Sequence, residues 1–204
     1  KALGMEHSNF ANATGWPDPN HYSTARDLAI LAQHIMKDFP EYYHYFSERE
    51  FVYHGIRQQN RDPLLSMNIG ADGLKTGHTE ENGFGLIASA VQKGRRLVMV
   101  INGLPTNAAR AEEASRLMQW GFTGTGIYPL LKANTVIDDA LVWMGTAPSV
   151  PLVLHENVTL SMPREDRAAL KAEVVLNEPV AAPVAAGQEI GQLRVTVPGT
   201  APRE

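Results

Sequence analysis

The chain has 204 residues, of which 44% are hydrophobic and 20% are charged, and its formal net charge at pH 7 is -4. This composition is typical of a globular protein with a sizeable core, and it gives no basic footprint for nucleic acid. No apolar run approaches the roughly 20 residues that a membrane-spanning helix needs. Because the chain contains no cysteine, disulfides and thiolate chemistry are excluded.

The first part of the chain predicts a loop followed by a helix. Residues 4–21 are rich in Asn, Gly, Pro and Thr, which favours an irregular segment, and we expect Phe10 and Trp16 to pack it. Thr24 is a favourable N-cap residue, and apolar residues at helical spacing follow it, so the sequence predicts a helix over 25–37.

An aromatic-rich segment follows that helix. Residues 39–53 contain seven Phe or Tyr side chains, and such a density is typical of core packing. Within it, residues 50–56 predict a strand, and residues 58–63 predict a loop that leads to the next strand.

The stretch 71–79 is the most distinctive part of the sequence, because Lys75 and Thr76 lie there between glycines. Residues 80–83 have the composition of a turn, and an apolar run over 84–90 comes next. The pattern predicts a β-hairpin whose first strand carries Lys75 and lies at a sheet edge.

After the hairpin, residues 96–102 predict a buried strand and residues 108–120 an amphipathic helix that Gly121 ends. Thr123-Gly124-Thr125-Gly126 has the composition of a joint between domains. We therefore expect an α+β region over 1–122 and a separate domain over 123–204. Short β-branched runs with Pro and Gly between them predict that the second domain is a small β sandwich or barrel, with strands over 150–154, 158–160, 172–176 and 193–197.

Lys75-Thr76-Gly77 is the strongest candidate site from the residues alone. An ammonium and a hydroxyl on an edge strand are good donors to the carboxylate of an extended peptide. His78 follows directly, and its backbone N–H is expected to point into the same site. The alternative interpretation is an exposed edge strand whose lysine discourages aggregation.

Other chemistry is poorly supported. No pair of histidines lies three to five residues apart, and there is no His-Glu-x-x-His motif, so we expect neither a metal site nor a cofactor. Arg110 has two interpretations from its position on the predicted helix, a solvated charge or a partner for Glu113. A nucleophile motif is missing, because no Ser-x-x-Lys or Gly-x-Ser-x-Gly occurs. Ser66-Met67-Asn68 matches Ser-x-Asn, and we interpret it as a coincidence.

Six blocks of sequence carry a family resemblance: Lys1-Ala2-Leu3-Gly4-Met5, Asn12-Ala13-Thr14-Gly15, His21-Tyr22-Ser23-Thr24-Ala25-Arg26-Asp27-Leu28-Ala29, Phe39-Pro40-Glu41-Tyr42-Tyr43, Gly55-Ile56-Arg57-Gln58-Gln59-Asn60-Arg61 and Asp72-Gly73-Leu74-Lys75-Thr76-Gly77-His78-Thr79. Together they closely resemble the low-molecular-mass penicillin-binding proteins, and more narrowly the serine D-alanyl-D-alanine carboxypeptidases of bacterial cell-wall metabolism. The resemblance extends over 1–122 and, more loosely, into the strand-rich region.

The resemblance implies a fold and indicates which of the family's active-site elements this chain contains. The implied fold is α+β, the C-terminal part of a transpeptidase-like (beta-lactamase-like) domain, followed by a small all-β domain. Of the family's three elements, Ser-x-x-Lys, Ser-x-Asn and Lys-Thr-Gly, only the third is present. In the family the other two precede the segment at which this chain starts. We therefore expect the later part of a longer protein, inactive by itself.

The resemblance also implies roles for five residues. Lys75 supplies positive potential in the cleft, and Thr76 binds the terminal carboxylate of a D-Ala-D-Ala stem peptide or of a beta-lactam. Gly77 lets the strand pair with the substrate. The backbone N–H of His78 is one donor of the oxyanion hole, and Arg110 assists carboxylate recognition.

The implied activity is removal of the terminal D-Ala from peptidoglycan stem peptides through a serine acyl-enzyme, inhibited by beta-lactams. Expected partners are those stem peptides, beta-lactam antibiotics and the preceding part of the same catalytic domain. The expected location is the periplasm, at the outer face of the cytoplasmic membrane, with attachment only through a C-terminal anchor beyond this chain. A beta-lactamase and a non-catalytic peptidoglycan-binding or scaffolding homologue are the alternatives.

Overall fold

The computed structural model describes residues 2–197. Within this range the α-helices are α1 (Ala25–Asp38), α2 (Pro40–Tyr43) and α3 (Asn107–Gly124), and the 3-10 helices span His44–Ser47, Pro63–Ser66 and Glu165–Ala169. The strands are β1 (Glu50–Tyr53), β2 (Ile56–Gln59), β3 (Ala71–Thr79), β4 (Gly83–Gln92), β5 (Arg95–Leu104), β6 (Thr125–Leu131), β7 (Val136–Leu141), β8 (Ser149–Val153), β9 (Val158–Pro163), β10 (Lys171–Leu176) and β11 (Gly191–Thr196). Contacts divide the described residues into two compact units, one ending at Phe122 and the other beginning at Thr123.

Helix α1 begins where the sequence predicts. The Thr24 side chain accepts a hydrogen bond of 3.1 Å from the backbone N–H of Asp27, which satisfies one of the helix's free N–H groups. The helix ends at Asp38, one residue beyond the predicted end, and it contacts β5 of the sheet. This prediction is confirmed.

The first unit is built around an antiparallel sheet in the order β3-β4-β5. The predicted hairpin is confirmed, because β3 and β4 pair with Gly77 opposite Gly85 and His78 opposite Phe84. Gly83 begins β4 with a φ of 64°, a conformation that glycine adopts readily. No described strand pairs with the outer side of β3, so its free backbone groups are available to an extended partner.

One face of the sheet forms the core of this unit. Leu86 and Ala88 of β4 pack with Ala114 and Met118 of α3, and Leu64 joins the same cluster. A fully buried Leu or Met contributes about 1.5–3 kcal/mol relative to its exposed state. This packing fixes β4, and therefore its neighbour β3, against the helix.

Helix α3 does not end at Gly121, as the sequence predicts, but continues to Gly124. A Cβ atom at position 121 would lie 2.8 Å from Cδ1 of Leu97. The glycine therefore permits close packing of the helix on β5 and is not a helix stop. The predicted joint over 123–126 lies in α3 and β6.

The expectation of aromatic core packing over 39–53 is wrong for most of these side chains, since Tyr45 and Phe51 are 64% and 66% exposed. The strand predicted over 50–56 ends at Tyr53, because residues 54–55 form the turn of a hairpin and β2 begins at Ile56, so the loop predicted over 58–63 begins inside β2. All eight strand residues of this hairpin are exposed. The physical reason is that aromatic density carries no information about which faces are covered. Phe10 and Trp16 are likewise exposed.

The second unit, as far as residue 197, contains strands in antiparallel pairs and one short 3-10 helix. The pairs are β6 with β9, β7 with β8 and β10 with β11. Two apolar clusters, one containing Leu160 and Met162 and the other Ala140 and Leu152, form its core. The α+β prediction and the predicted strands are confirmed, whereas β6 and β7 were not predicted. No helix in the described range is both long enough and apolar enough to cross a membrane.

Candidate active site

A large open cavity of about 1100 Å³ lies beside the edge strand of the first unit. Residues 75–79 of β3 and 84–87 of β4 line it, together with the start of α3. Among the described residues that line the cavity, Arg61, Lys75 and Arg110 are cationic and none carries a carboxylate. Such a cavity attracts anions, although the chain as a whole is acidic.

The part of β3 that faces this cavity is open to an extended ligand. Lys75 and Gly77 are exposed and Thr76 is half-buried, and the Lys75 ammonium donates a hydrogen bond to the carbonyl of Thr76. A Cβ atom built at Gly77 meets no atom within 4 Å. Another backbone therefore has room to approach at this position.

His78 is exposed on β3, and its ring stacks on that of Phe84. The ring centroids are 3.9 Å apart and the interplanar angle is 27°. The two residues lie directly opposite each other in the β3–β4 register, where cross-strand side chains are closest. The stack fixes the His78 side chain at the edge of the cavity.

Arg110 is buried, with only 5% of its surface exposed, so the interpretation as a solvated charge is wrong. Its Nη2 donates to Oδ1 of Asn107 at 2.6 Å and to the carbonyl of Arg61 at 3.2 Å, and its Nη1 lies 3.5 Å from the carbonyl of Gly85. Glu113 does not pair with Arg110, because it binds Arg116, three residues further along the helix. Helical spacing alone allows either partner, and the fold turns Arg110 towards the sheet.

The charge of Asp62 acts on that of Arg110. Its Oδ1 accepts from the backbone N–H of Leu64 at 2.9 Å, which caps the 3-10 helix 63–66. Burial raises the pKa of Asp62 to about 6, although the Leu64 N–H and the Arg110 charge act to lower it. Burial lowers the pKa of Arg110 from its ordinary value, and Asp62 opposes that shift. Among the described residues, Asp62 Oδ2 and Arg110 Nε are buried without a hydrogen-bond partner.

A second polar network supports the start of β3. Tyr43 and Arg96 both donate to Oδ1 of Asp72, at 2.8 and 2.9 Å, and Arg96 also donates to the hydroxyl of Ser89 at 2.6 Å. Burial is the main cause that raises the pKa of Tyr43 to about 12, so the phenol remains a donor at neutral pH. The network joins α2 to all three strands of the sheet.

The structure brings the five predicted site residues together. Lys75, Thr76, Gly77, His78 and Arg110 all line the same cavity. Ser66 does not line it, and its hydroxyl donates to the carbonyl of Pro63.

Three further residues that line the cavity, Arg61, Phe84 and Asn107, were not predicted from the sequence. Neither was the buried Asp62, whose charge acts on Arg110. A local signal existed only for Asn107, which lies three residues before Arg110 and therefore on the same helix face. In residues 2–197, no group of three or more His, Asp or Glu side chains could hold a metal ion.

Comparisons with known proteins identify the family of this chain. Residues 1–106 match the D-alanyl-D-alanine carboxypeptidase family, and residues 128–204 match the C-terminal domain of penicillin-binding protein 5. D-alanyl-D-alanine carboxypeptidase DacA of Haemophilus influenzae is 38% identical over 194 residues, which cover 94% of this chain and 49% of that protein. The chain spans about half the length of the curated relatives it matches.

Solved structures agree with the sequence matches. Penicillin binding protein 5 from Haemophilus influenzae has a TM-score of 0.77 and 37% identity, covering 99% of this chain and 60% of that chain. Penicillin-binding protein D2 from Listeria monocytogenes, in its cefotaxime-bound form, has a TM-score of 0.55 and 30% identity over 59% of this chain and 51% of that chain. The chain has the fold of a penicillin-binding protein and belongs to the D-alanyl-D-alanine carboxypeptidase family.

Proposed function

We propose that the full-length protein containing this chain is a serine D-alanyl-D-alanine carboxypeptidase, and that this chain forms the carboxylate-binding side of its active site. The observation that best supports the proposal is the charge of the cavity. Its described charged side chains are Arg61, Lys75 and Arg110, in a chain of net charge -4. A peptide that ends in a free carboxylate matches that charge.

In this proposal β3 binds the end of the stem peptide by strand addition. The outer side of β3 has no described strand partner, and Gly77 has open space above it. Main-chain hydrogen bonds then give affinity, while the hydroxyl of Thr76 donates to the terminal carboxylate. Arg110 contributes its positive charge from the wall of the same cavity.

Lys75 and His78 act on the reacting groups. The Lys75 ammonium supplies positive potential where negative charge develops, and the backbone N–H of His78 is one donor to the carbonyl oxygen under attack. The nucleophile is a serine outside this chain. Its oxygen forms a bond to the carbonyl carbon of the penultimate D-Ala, the peptide C–N bond breaks, and the terminal D-Ala leaves with the proton on its amine. Water then hydrolyses the ester.

The same pocket explains the partners we propose. A beta-lactam carries a carboxylate beside its reactive carbonyl, as the stem peptide does, and the related Listeria protein is known in a cefotaxime-bound form. The substrate would be peptidoglycan stem peptide in the periplasm, at the outer face of the cytoplasmic membrane. The preceding part of the catalytic domain would complete the cleft.

The experiment that tests this function uses the full-length protein. We expect a fluorescent penicillin to label it covalently, and a peptide ending in D-Ala-D-Ala to release D-alanine. Rapid hydrolysis of the penicillin without release of D-alanine would instead identify a beta-lactamase. Absence of both reactions would contradict the proposal and favour a non-catalytic peptidoglycan-binding homologue.

A further inference from the structure

Phe84 has no polar group, yet it lies between two residues of the proposed site. It is half-buried at the start of β4 and lines the cavity. Its ring centroid lies 3.9 Å from that of His78, and the guanidinium carbon of Arg110 lies 5.7 Å from the ring centroid. One aromatic ring therefore contacts both an imidazole and a guanidinium.

The hydrogen bonds of Arg110 do not fix its guanidinium fully. Both short bonds, to Asn107 and to Arg61, come from Nη2. Nη1 makes only a long contact of 3.5 Å to the carbonyl of Gly85, and Nε has no partner among the described residues. Bonds concentrated at one nitrogen leave the opposite side of the guanidinium weakly restrained. A ring within cation–π distance limits that remaining freedom.

The position of Phe84 is itself well determined. The β4–β5 pairing shifts register between Phe84 and Leu86, and such an irregularity re-aims the side chain beside it. A Cβ atom on Gly85 would lie 2.3 Å from Oδ1 of Asn102, so the backbone packs tightly there. The sheet therefore fixes the position of the Phe84 ring. The ring in turn restricts the side chains of Arg110 and His78 that it contacts.

We propose that Phe84 is a positioning residue that orients the Arg110 guanidinium for recognition of the substrate's terminal carboxylate. The inference rests on the proposed function, and it assigns to an apolar ring a part of carboxylate selectivity. Phe84 makes no bond to the carboxylate in this account. It acts through the Arg110 guanidinium that it contacts.

The test compares Phe84→Leu, Phe84→Met and Phe84→Tyr in the full-length protein. Each variant is assayed with a peptide ending in D-Ala-D-Ala and with the same peptide ending in a carboxamide. The measured quantity is the ratio of kcat/KM for the carboxylate to kcat/KM for the carboxamide. We expect Leu and Met to lower this ratio by about three- to tenfold, in line with one lost cation–π contact. Tyr keeps an aromatic face and should keep the ratio.

The ratio separates positioning from a merely structural role. Partial unfolding lowers kcat/KM for both peptides equally and leaves the ratio unchanged. Phe51→Leu, on the exposed hairpin β1–β2, is the matched control and should match the parent. A parent ratio retained in both Phe84→Leu and Phe84→Met would overturn the inference while leaving the proposed function intact. A parent protein that releases no D-alanine would overturn both.

Discussion

The hydroxyl of Tyr43 donates a 2.8 Å hydrogen bond to Asp72, across 29 positions of sequence. This bond ties α2 to β3 only three residues before Lys75. Nη1 of Arg96 lies 2.8 Å from Oδ2 of the same carboxylate. The guanidinium carbon of Arg96 lies over the Tyr43 ring, 5.4 Å from its centroid. Asp72 lies near the start of β3, and the hairpin turn follows the other end of this strand. These contacts therefore anchor β3 at the end away from the turn.

Replacement of Tyr43 by Phe should weaken that anchor. We expect the free energy of unfolding to fall by about 1–2 kcal/mol, because the variant loses a hydrogen bond to a partly buried carboxylate. Urea unfolding of the full-length protein measures the loss. Tyr45→Phe is the control, since Tyr45 is exposed and its hydroxyl has no hydrogen bond among those described. Equal stability of Tyr43→Phe and the parent would mean that the network does not hold β3.

Gly77→Ala should reduce activity without reducing stability. The new methyl group meets no atom of the described structure within 4 Å, and alanine is not a poorer strand residue than glycine. It would, however, occupy the space that we assign to the substrate backbone. We expect at least a tenfold loss in kcat/KM, with the unfolding midpoint in urea unchanged.

Gly70→Ala gives the opposite behaviour and serves as the contrast. At φ +80°, its Cβ atom would lie 2.1 Å from the backbone carbonyl oxygen of Val91, so this variant should lose stability. Full activity of Gly77→Ala would exclude close approach of the substrate at that position.

Thr76→Val removes the hydroxyl that we assign to the carboxylate. A lost hydrogen bond to a charged group corresponds to about 1.5–3 kcal/mol, which is roughly a ten- to hundredfold drop in kcat/KM. Stability should change by less than about 0.5 kcal/mol. Thr159→Val, on the exposed face of β9, is the matched control for a threonine-to-valine change in a strand. The role of Thr76 is wrong if the two variants have the same activity.

The raised pKa of Asp62 predicts that the stability of the protein falls as the pH rises. Its pKa is raised in the folded protein from 3.8 to about 6, so the fold favours the protonated carboxyl. Its contribution is fully present below pH 3.8 and is lost as the pH rises through 6, by up to about 3 kcal/mol. Asp62→Asn keeps an oxygen acceptor for Leu64 and removes the titration.

The measurement for Asp62 is urea unfolding of parent and variant at pH 4.5 and pH 7.5. We expect the parent to lose more stability than Asp62→Asn between these two values. Because only the difference between pH values is compared, a constant effect of the buried amide cancels. A parallel pH dependence of both proteins would place the pKa of Asp62 near its unfolded value.

Local signals explain why part of this site could be predicted. The β3–β4 hairpin follows from glycines, a turn composition and an apolar run that are contiguous in sequence, and α1 from its Thr24 cap. Arg110 was recognised only by resemblance, because helical spacing alone cannot distinguish burial against β4 from exposure. The charge of Arg110 acts on Asp62 across 48 positions, and its guanidinium contacts the Phe84 ring across 26 positions. No local pattern reports contacts of that range.

The exposed aromatic side chains also show the limit of prediction from local sequence. A dense run such as Tyr42, Tyr45 and Phe51 increases the probability of a core, but burial requires a second layer over each side chain. In the described residues no such layer covers β1 and β2. Composition predicts that a core exists, and topology decides which residues form it.

The most direct test of the account is a crystal structure of the full-length protein acylated by benzylpenicillin. The quantity to measure is the distance between Oγ1 of Thr76 and the nearest carboxylate oxygen of the bound drug. We predict about 2.6–3.0 Å, the range of a charge-assisted O–H···O bond, with the drug lying along the outer edge of β3. A carboxylate bound outside this cavity, beyond hydrogen-bonding distance of Thr76, would contradict the central claim.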